Sequence, residues 1–134
     1  RDLFDLSIVA YKTSIRQSIK LVLDTVRLAM EKEKVTAELQ LHSDQGFQYA
    51  SQSYFTLTTQ YGITPSMSRR ANPYDNAMAE NFFSILKSEC IRLYKPETIH
   101  DAQTLIDEYI TFYNHDRIQL NSKLSPIEKR RLFA

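Results

Sequence analysis

Cysteine is almost missing from this chain. Cys90 stands alone among 134 residues, which excludes an internal disulfide and suits a reducing cytosol. As a lone thiol it is read as a small buried hydrophobe. Long apolar runs are missing too: the longest span a few residues, far short of the roughly 20 that a transmembrane helix needs. The first residues carry no apolar core of a signal peptide, and the expected location is the cytoplasm. Charge of one sign is not in excess, the formal net charge being +1, so bulk electrostatics do not announce a nucleic-acid binder. His100 and His115 lack the spacing of zinc ligands. Repeats, low-complexity segments and linkers are absent.

What is present reads as one ordinary globular domain of the α/β class, with 43% hydrophobic and 25% charged residues. Ile8-Val9-Ala10-Tyr11-Lys12 is β-branched and aromatic enough for a strand, and with Arg1–Leu6 it suggests a hairpin. Ser14 with Gln17 forms a capping box for a helix. Ile15, Ile19, Val22, Leu23, Val26 and Met30 then make a single apolar stripe. Glu38–His42 alternates as a strand and ends in the turn formers Ser43, Asp44 and Gly46. A helix is expected over 52–61, stopped by Gly62. A strand over 63–68 should lie at a sheet edge, because Pro65 cannot donate to a ladder.

Asn72-Pro73 and Asp75 can each cap the next helix, which runs to about Leu93 with Met78, Phe82, Ile85, Leu86 and Leu93 on its buried stripe. At 100° per residue, Glu80 lies about 200° and Lys87 about 180° round from Met78. The two therefore share the face turned away from the stripe, while Glu89 falls inside it with no evident partner. Thr98 begins a helix carrying Ala102, Leu105, Ile106, Tyr109 and Tyr113 on one face. Ser125-Pro126-Ile127-Glu128 is a capping box for a short basic terminal helix.

Basic residues cluster locally: Arg69-Arg70 precede Glu80, Lys87, Arg92 and Lys95 follow it, and Lys129-Arg130-Arg131 close the chain. Each cluster also suits a solvated face. Asp44 closes a strand, Glu80 sits early in a helix, and thirty-five residues lie between them. Carboxylates from distant segments can share a divalent cation, since Mg²⁺ prefers oxygen ligands and keeps waters for a phosphate substrate. Alone, the two acids suit a turn after a strand and a solvated helix face better than a metal site.

The ordered set of motifs is far more specific. His42-Ser43-Asp44-Gln45-Gly46-Phe47-Gln48-Tyr49, then Asn72-Pro73-Tyr74-Asp75-Asn76-Ala77-Met78-Ala79-Glu80-Asn81-Phe82-Phe83 with Lys87, closely resemble the retroviral-integrase-like (DDE) catalytic core of bacterial insertion-sequence transposases. Tyr109-Ile110, Phe112-Tyr113-Asn114, Arg117 and Leu124-Ser125-Pro126 extend the match over nearly the whole chain.

The resemblance implies a ribonuclease-H-like mixed sheet flanked by helices, over residues 1–134 as a single catalytic-core fragment. It implies end cleavage and strand transfer of double-stranded DNA at transposon ends and targets, dependent on Mg²⁺ or Mn²⁺, in a homo-oligomeric active complex away from any membrane. Asp44 matches the second catalytic and metal-binding acid and Glu80 the third. Lys87 matches a basic residue that contacts DNA, and Arg69, Arg70, Asn72, Tyr74 and Asn76 fall on the mobile loop beside the site. His42 is read as a partly buried strand histidine, the Tyr109–Phe112–Tyr113 group as core, and Asn114 and Arg117 as residues that fix the final helix.

The family's first acid and its central first strand lie upstream of the segment matching Asp2-Leu3-Phe4-Asp5, so neither Asp2 nor Asp5 takes that place. Catalysis by this fragment alone is therefore not expected. The sheet should be rearranged, exchanged between copies or poorly stable, with unpaired edges where the central strand would lie. The competing reading is a DNA-binding or assembly module without chemistry, from a decayed element. A nuclease of RNA–DNA hybrids fits the gap length and the tail motifs less well.

Overall fold

The computed structural model describes residues 1–133. The chain forms two compact units, Val9–Ala77 and the remainder, which comprises Arg1–Ile8 and the chain from Met78.

In the Val9–Ala77 unit, α1 (Ile19–Lys32) begins later than the capping box suggests. Ser18 is the N-cap, accepting the Leu21 N–H, whereas Ser14 turns its hydroxyl to the Arg16 N–H two residues on. That local turn competes with helix, a habit of serine ahead of a true cap. β1 (Leu39–Ser43) and β2 (Ile63–Met67) pair in parallel, with Leu39 opposite Ile63 and Ser43 opposite Met67. A parallel pair needs a crossover, which is supplied by α2 (Gln52–Tyr61). Ser51 caps α2 at its start, and Gly62 ends it in the left-handed conformation at φ 67°, which glycine adopts without the Cβ penalty. Val26, Tyr54, Leu57 and Ile63 are buried together under Val22, Leu23, Met30, Leu39, Leu41 and Tyr49. The α1 stripe and the strand alternation thus meet in one small core.

The expected strand over Ile8–Lys12 does not form, and among the described residues the sheet has two strands. Part of the expected hairpin survives as a turn. Asp2 caps the Phe4 and Asp5 N–H groups, the Asp2 N–H reaches the Ser7 carbonyl, and Leu6 takes φ 70°. Ile8 finds a side chain in place of a strand neighbour: its N–H donates to Asn114 Oδ1, and its carbonyl accepts from Asn114 Nδ2.

In the other unit, α3 (Ala77–Leu86) runs into a wider π-type turn at Lys87–Ile91 and ends in the short α4 (Arg92–Tyr94). α5 (Ile99–His115) and α6 (Pro126–Phe133) follow. Thr98 caps α5, and the Ser125–Glu128 capping box opens α6 as the sequence predicts. The core gathers Phe82, Cys90, Tyr109, Ile110 and Tyr113, with Phe82 and Tyr113 packed edge to face at 5.1 Å. The expected stripe of α3 is only partly buried: Met78 and Leu93 are exposed. The π-type turn inserts a residue relative to α-helical phase, so the spacing that predicted a buried Leu93 no longer holds beyond it, while Cys90 within the turn is buried. Among the described residues no helix is long and apolar enough to cross a membrane.

Candidate active site

Asp44 follows the last residue of β1 and is exposed. Its Oδ1 accepts the Gly46 N–H at 2.8 Å, closing a tight turn. A Cβ on Gly46 would stand 2.8 Å from Gln48 Oε1 and 2.9 Å from Asp44 Oδ1, so any other residue here would have to displace the ends of those two side chains. The turn is tied to the end of β2, where the Ser68 N–H donates to the Ser43 carbonyl and Gln45 Nε2 to the Ser68 carbonyl.

His42, two residues before Asp44, is held at both ring nitrogens. Nδ1 lies 2.9 Å from Ser66 Oγ, and Nε2 lies 3.0 Å from Ser68 Oγ and 2.9 Å from the Asp75 carbonyl. A carbonyl only accepts, so Nε2 carries a proton. In the neutral ring Nδ1 then accepts the Ser66 hydroxyl. His42 is exposed and acts as a cross-brace between β1, β2 and the segment after β2.

That segment, residues 68–76, carries five of the expected site residues. Asn72 caps a short 3₁₀ turn (Pro73–Asn76) by accepting the Tyr74 N–H. Ala71 takes φ 55°, a left-handed conformation that strains a residue with a Cβ. Arg70 is exposed and Tyr74 is 88% exposed. Arg69 forks onto Asp75, with Nε to Oδ2 at 2.8 Å and Nη2 to Oδ1 at 3.0 Å, while the Arg69 N–H also reaches Oδ2 at 2.8 Å. These bonds, the side chain's first, hold the Asp75 carboxyl down at about 2.

Glu80 lies in the first turn of α3, and Lys87 is the first residue of the π-type turn, seven positions on. The helix keeps α-helical phase from Ala77 to Leu86, so both point from the same face, and both are exposed. Asp44 and the 68–76 segment belong to one compact unit, Glu80 and Lys87 to the other. Among the described residues no group of three or more His, Cys, Asp or Glu side chains could hold a metal ion.

The tail motif has a different role from the one expected. Arg117 does not fix the last helix. It forks onto Glu89, with Nε to Oε2 at 2.8 Å and Nη2 to Oε1 at 2.6 Å, and the Tyr109 hydroxyl donates to Oε2 at 2.6 Å. Arg117 and Tyr109 thereby hold the Glu89 carboxyl below its ordinary value against the opposing effect of burial. Asn114 clamps Ile8, and Tyr113 Oη donates to the Leu6 carbonyl while accepting from Arg1. The last helix is anchored instead by Arg130, which bonds to buried Asp5 at 2.6 Å and to Ser7 at 2.9 Å. Pairs such as these are separated by up to 125 residues, so periodicity could not reveal them. An acid on an apolar stripe was the only available signal, and it marked Glu89.

Two models of the integrase core domain match the chain, over residues 2–73 and 80–131. The InsK protein of insertion sequence element IS150 from Escherichia coli is 40% identical over 130 residues, covering 96% of this chain and 46% of that protein. The transposase for insertion sequence element IS904 from Lactococcus lactis is 43% identical over 118 residues, covering 87% and 47%. The chain thus spans about half the length of these relatives. Among solved structures, the simian T-cell lymphotropic virus intasome in complex with PP2A regulatory subunit B56 gamma aligns with a TM-score of 0.72 at 17% identity, covering 86% of this chain and 41% of that one. The catalytic core domain of BIV integrase aligns with a TM-score of 0.65 at 22% identity, covering 87% and 73%. The fold is therefore the ribonuclease-H-like one of retroviral integrase cores. With a matching model over more than half its length and insertion-sequence transposases as relatives, this chain belongs to the integrase core family.

Proposed function

We propose that this chain is part of the core of a DNA-joining enzyme that cleaves double-stranded DNA at transposon ends and then directs the freed 3′ hydroxyl to attack a phosphodiester of another DNA, joining the two and displacing the 3′ oxygen of the attacked strand. One observation supports the choice of residues. Four acids lie between positions 44 and 89, and two of them, Asp75 and Glu89, are each taken up by an arginine fork. Asp44 and Glu80 are exposed, and among the described residues neither has an ion-pair partner. They are the acids left available for a substrate or a cation, and we assign them the catalytic roles.

The integrase core family is in general dependent on a divalent metal. The donors fit such an ion chemically, because hard cations take carboxylate oxygens. Asp44 and Glu80 would ligate Mg²⁺ or Mn²⁺, which when bound stabilises charge on the phosphodiester oxygens. With no group of three candidate ligands among the described residues, the pair calls for further ligands. Lys87, on the Glu80 face, binds a DNA phosphate. Arg69, Arg70, Asn72, Tyr74 and Asn76 offer cationic, amide and aromatic contacts from the segment beside Asp44. A homo-oligomer on two DNA ends is the working form, at the nucleoid of a bacterial cytoplasm.

The same shortage of ligands favours the second reading, a DNA-binding or assembly module without chemistry. A joining assay with the full-length protein and labelled duplex separates the two. Joining that requires Mg²⁺, and that Asp44→Asn removes without loss of duplex binding, supports the enzyme. Duplex binding without joining under any divalent cation supports the module.

A further inference from the structure

The Arg69–Asp75 fork occupies the groups that the proposed function assigns to DNA. A guanidinium grips a phosphate through the same paired N–H donors with which it grips a carboxylate. In this structure those donors, Nε and Nη2, are both spent on Asp75. The Arg69 side chain is nevertheless 76% exposed, and an ion pair so open to water is weak and readily exchanged. Its surroundings suit a polyanion: Arg70 is exposed beside it, and Tyr74 is exposed three residues beyond Ala71.

Asp75 is also placed so that giving up the guanidinium would not unfold the segment. Its Oδ2 keeps the Arg69 N–H at 2.8 Å, and its carbonyl remains bonded to His42 Nε2 at 2.9 Å. Asn72 and Pro73 hold the 3₁₀ turn independently. The exchange therefore moves one side chain and leaves the loop anchored to the strand that ends just before Asp44.

We propose that Asp75 is a built-in phosphate mimic, which holds Arg69 in the free protein and yields it to a DNA phosphate on binding. Asp75 is thus a positioning residue that sets the strength of DNA engagement. It does not touch the reacting atoms. The inference rests on the assignment of Arg69 as a DNA contact. A simple structural clamp would behave differently, since Arg69 would then need Asp75 in order to present itself.

The test is a double-mutant cycle in the full-length protein, read as affinity for a short random-sequence DNA duplex. Asp75→Asn keeps an acceptor for the Arg69 N–H but removes the charge that competes with phosphate. It should tighten binding roughly two- to fivefold, and this gain should vanish in an Arg69→Ala background. Arg69→Ala alone should weaken binding and lower the salt slope by about 0.9, the loss of one phosphate contact. With ¹⁵N-labelled arginine, adding duplex to the wild type should move the Arg69 Nε signal, which no passive clamp would do. Weaker binding by Asp75→Asn, or equal tightening with and without Arg69, overturns the mimic while leaving Arg69 as a contact. If Arg69→Ala changes neither affinity nor salt slope, the underlying assignment of Arg69 is what falls.

Discussion

Arg117 Nη2 donates to Glu89 Oε1 at 2.6 Å, and its Nε donates to Oε2 of the same carboxylate at 2.8 Å. The acid that falls on the apolar stripe of the α3–α4 segment is therefore a designed fixture of the π-type turn. Both side chains are partly buried, 23% exposed for Arg117 and 38% for Glu89. Removing the cation strands a carboxylate that the Tyr109 hydroxyl alone then serves. Arg117→Ala should destabilise the protein by about 1–2 kcal/mol. Arg117→Lys should recover only part of this, because an ammonium cannot reproduce the planar fork. Thermal melts of the three proteins check it, and equal melting of the lysine variant and the wild type would contradict the fork.

Acid should weaken the fold within a defined window. Asp75 is held at about 2 by the Arg69 bonds. Glu89 is lowered by Arg117, and Asp5 is lowered by Ser7 and Arg130 although burial opposes this. In the unfolded chain such groups titrate near about 4. A depressed carboxylate lends stability that is complete above the unfolded value and is lost as pH falls through the folded one. Melting temperature should stay flat above about pH 5 and decline from there toward pH 2. Glu89→Gln should lower the plateau and shallow the decline.

Tyr54 presents the opposite case. Its ring is fully buried against Tyr49 at 5.4 Å, and among the described residues its hydroxyl has no hydrogen-bond partner. Burial raises the phenol to about 12, so folding is favoured below the unfolded value near about 10 and loses ground as pH climbs toward the folded one. Tyr54→Phe removes an unsatisfied buried polar group. It should raise stability at neutral pH by about 1 kcal/mol and reduce the alkaline loss. Destabilisation of more than that size by Tyr54→Phe would show that the hydroxyl is satisfied.

Gly46→Ala should affect activity more than fold. The added Cβ would meet Asp44 Oδ1 at 2.9 Å and Gln48 Oε1 at 2.8 Å, closer than real Cβ contacts come. The cheapest relief is to push the Asp44 side chain off the Gly46 N–H. Strand transfer by full-length protein should fall about tenfold or more, as misplacement of a reacting group does, while the melting temperature shifts little.

Much of the fold was legible because it is written locally. The Val22–Val26–Met30 stripe, the β1 alternation, Gly62 and the Ser125–Glu128 box all lie where their spacing placed them. What was not legible depends on partners far away in sequence. The β-branched run at Ile8 reads as a strand, yet Asn114 meets the backbone of Ile8. The π-type turn breaks the helical phase on which the burial of Leu93 was expected. At the site, the residue types and their order were readable, whereas the pairing of Asp75, expected as a cap, with Arg69, expected as a DNA contact, was not.

The central claim is that Asp44 and Glu80 do chemistry on DNA, and the most direct measurement is strand transfer by full-length protein carrying Glu80→Gln. Glutamine keeps the size and exposure of the side chain and removes only its charge. The expected result is joining lowered by three or more orders of magnitude, a scale set by removal of a catalytic group, with duplex affinity within about twofold of wild type. Joining at wild-type rate would contradict the assignment of Glu80.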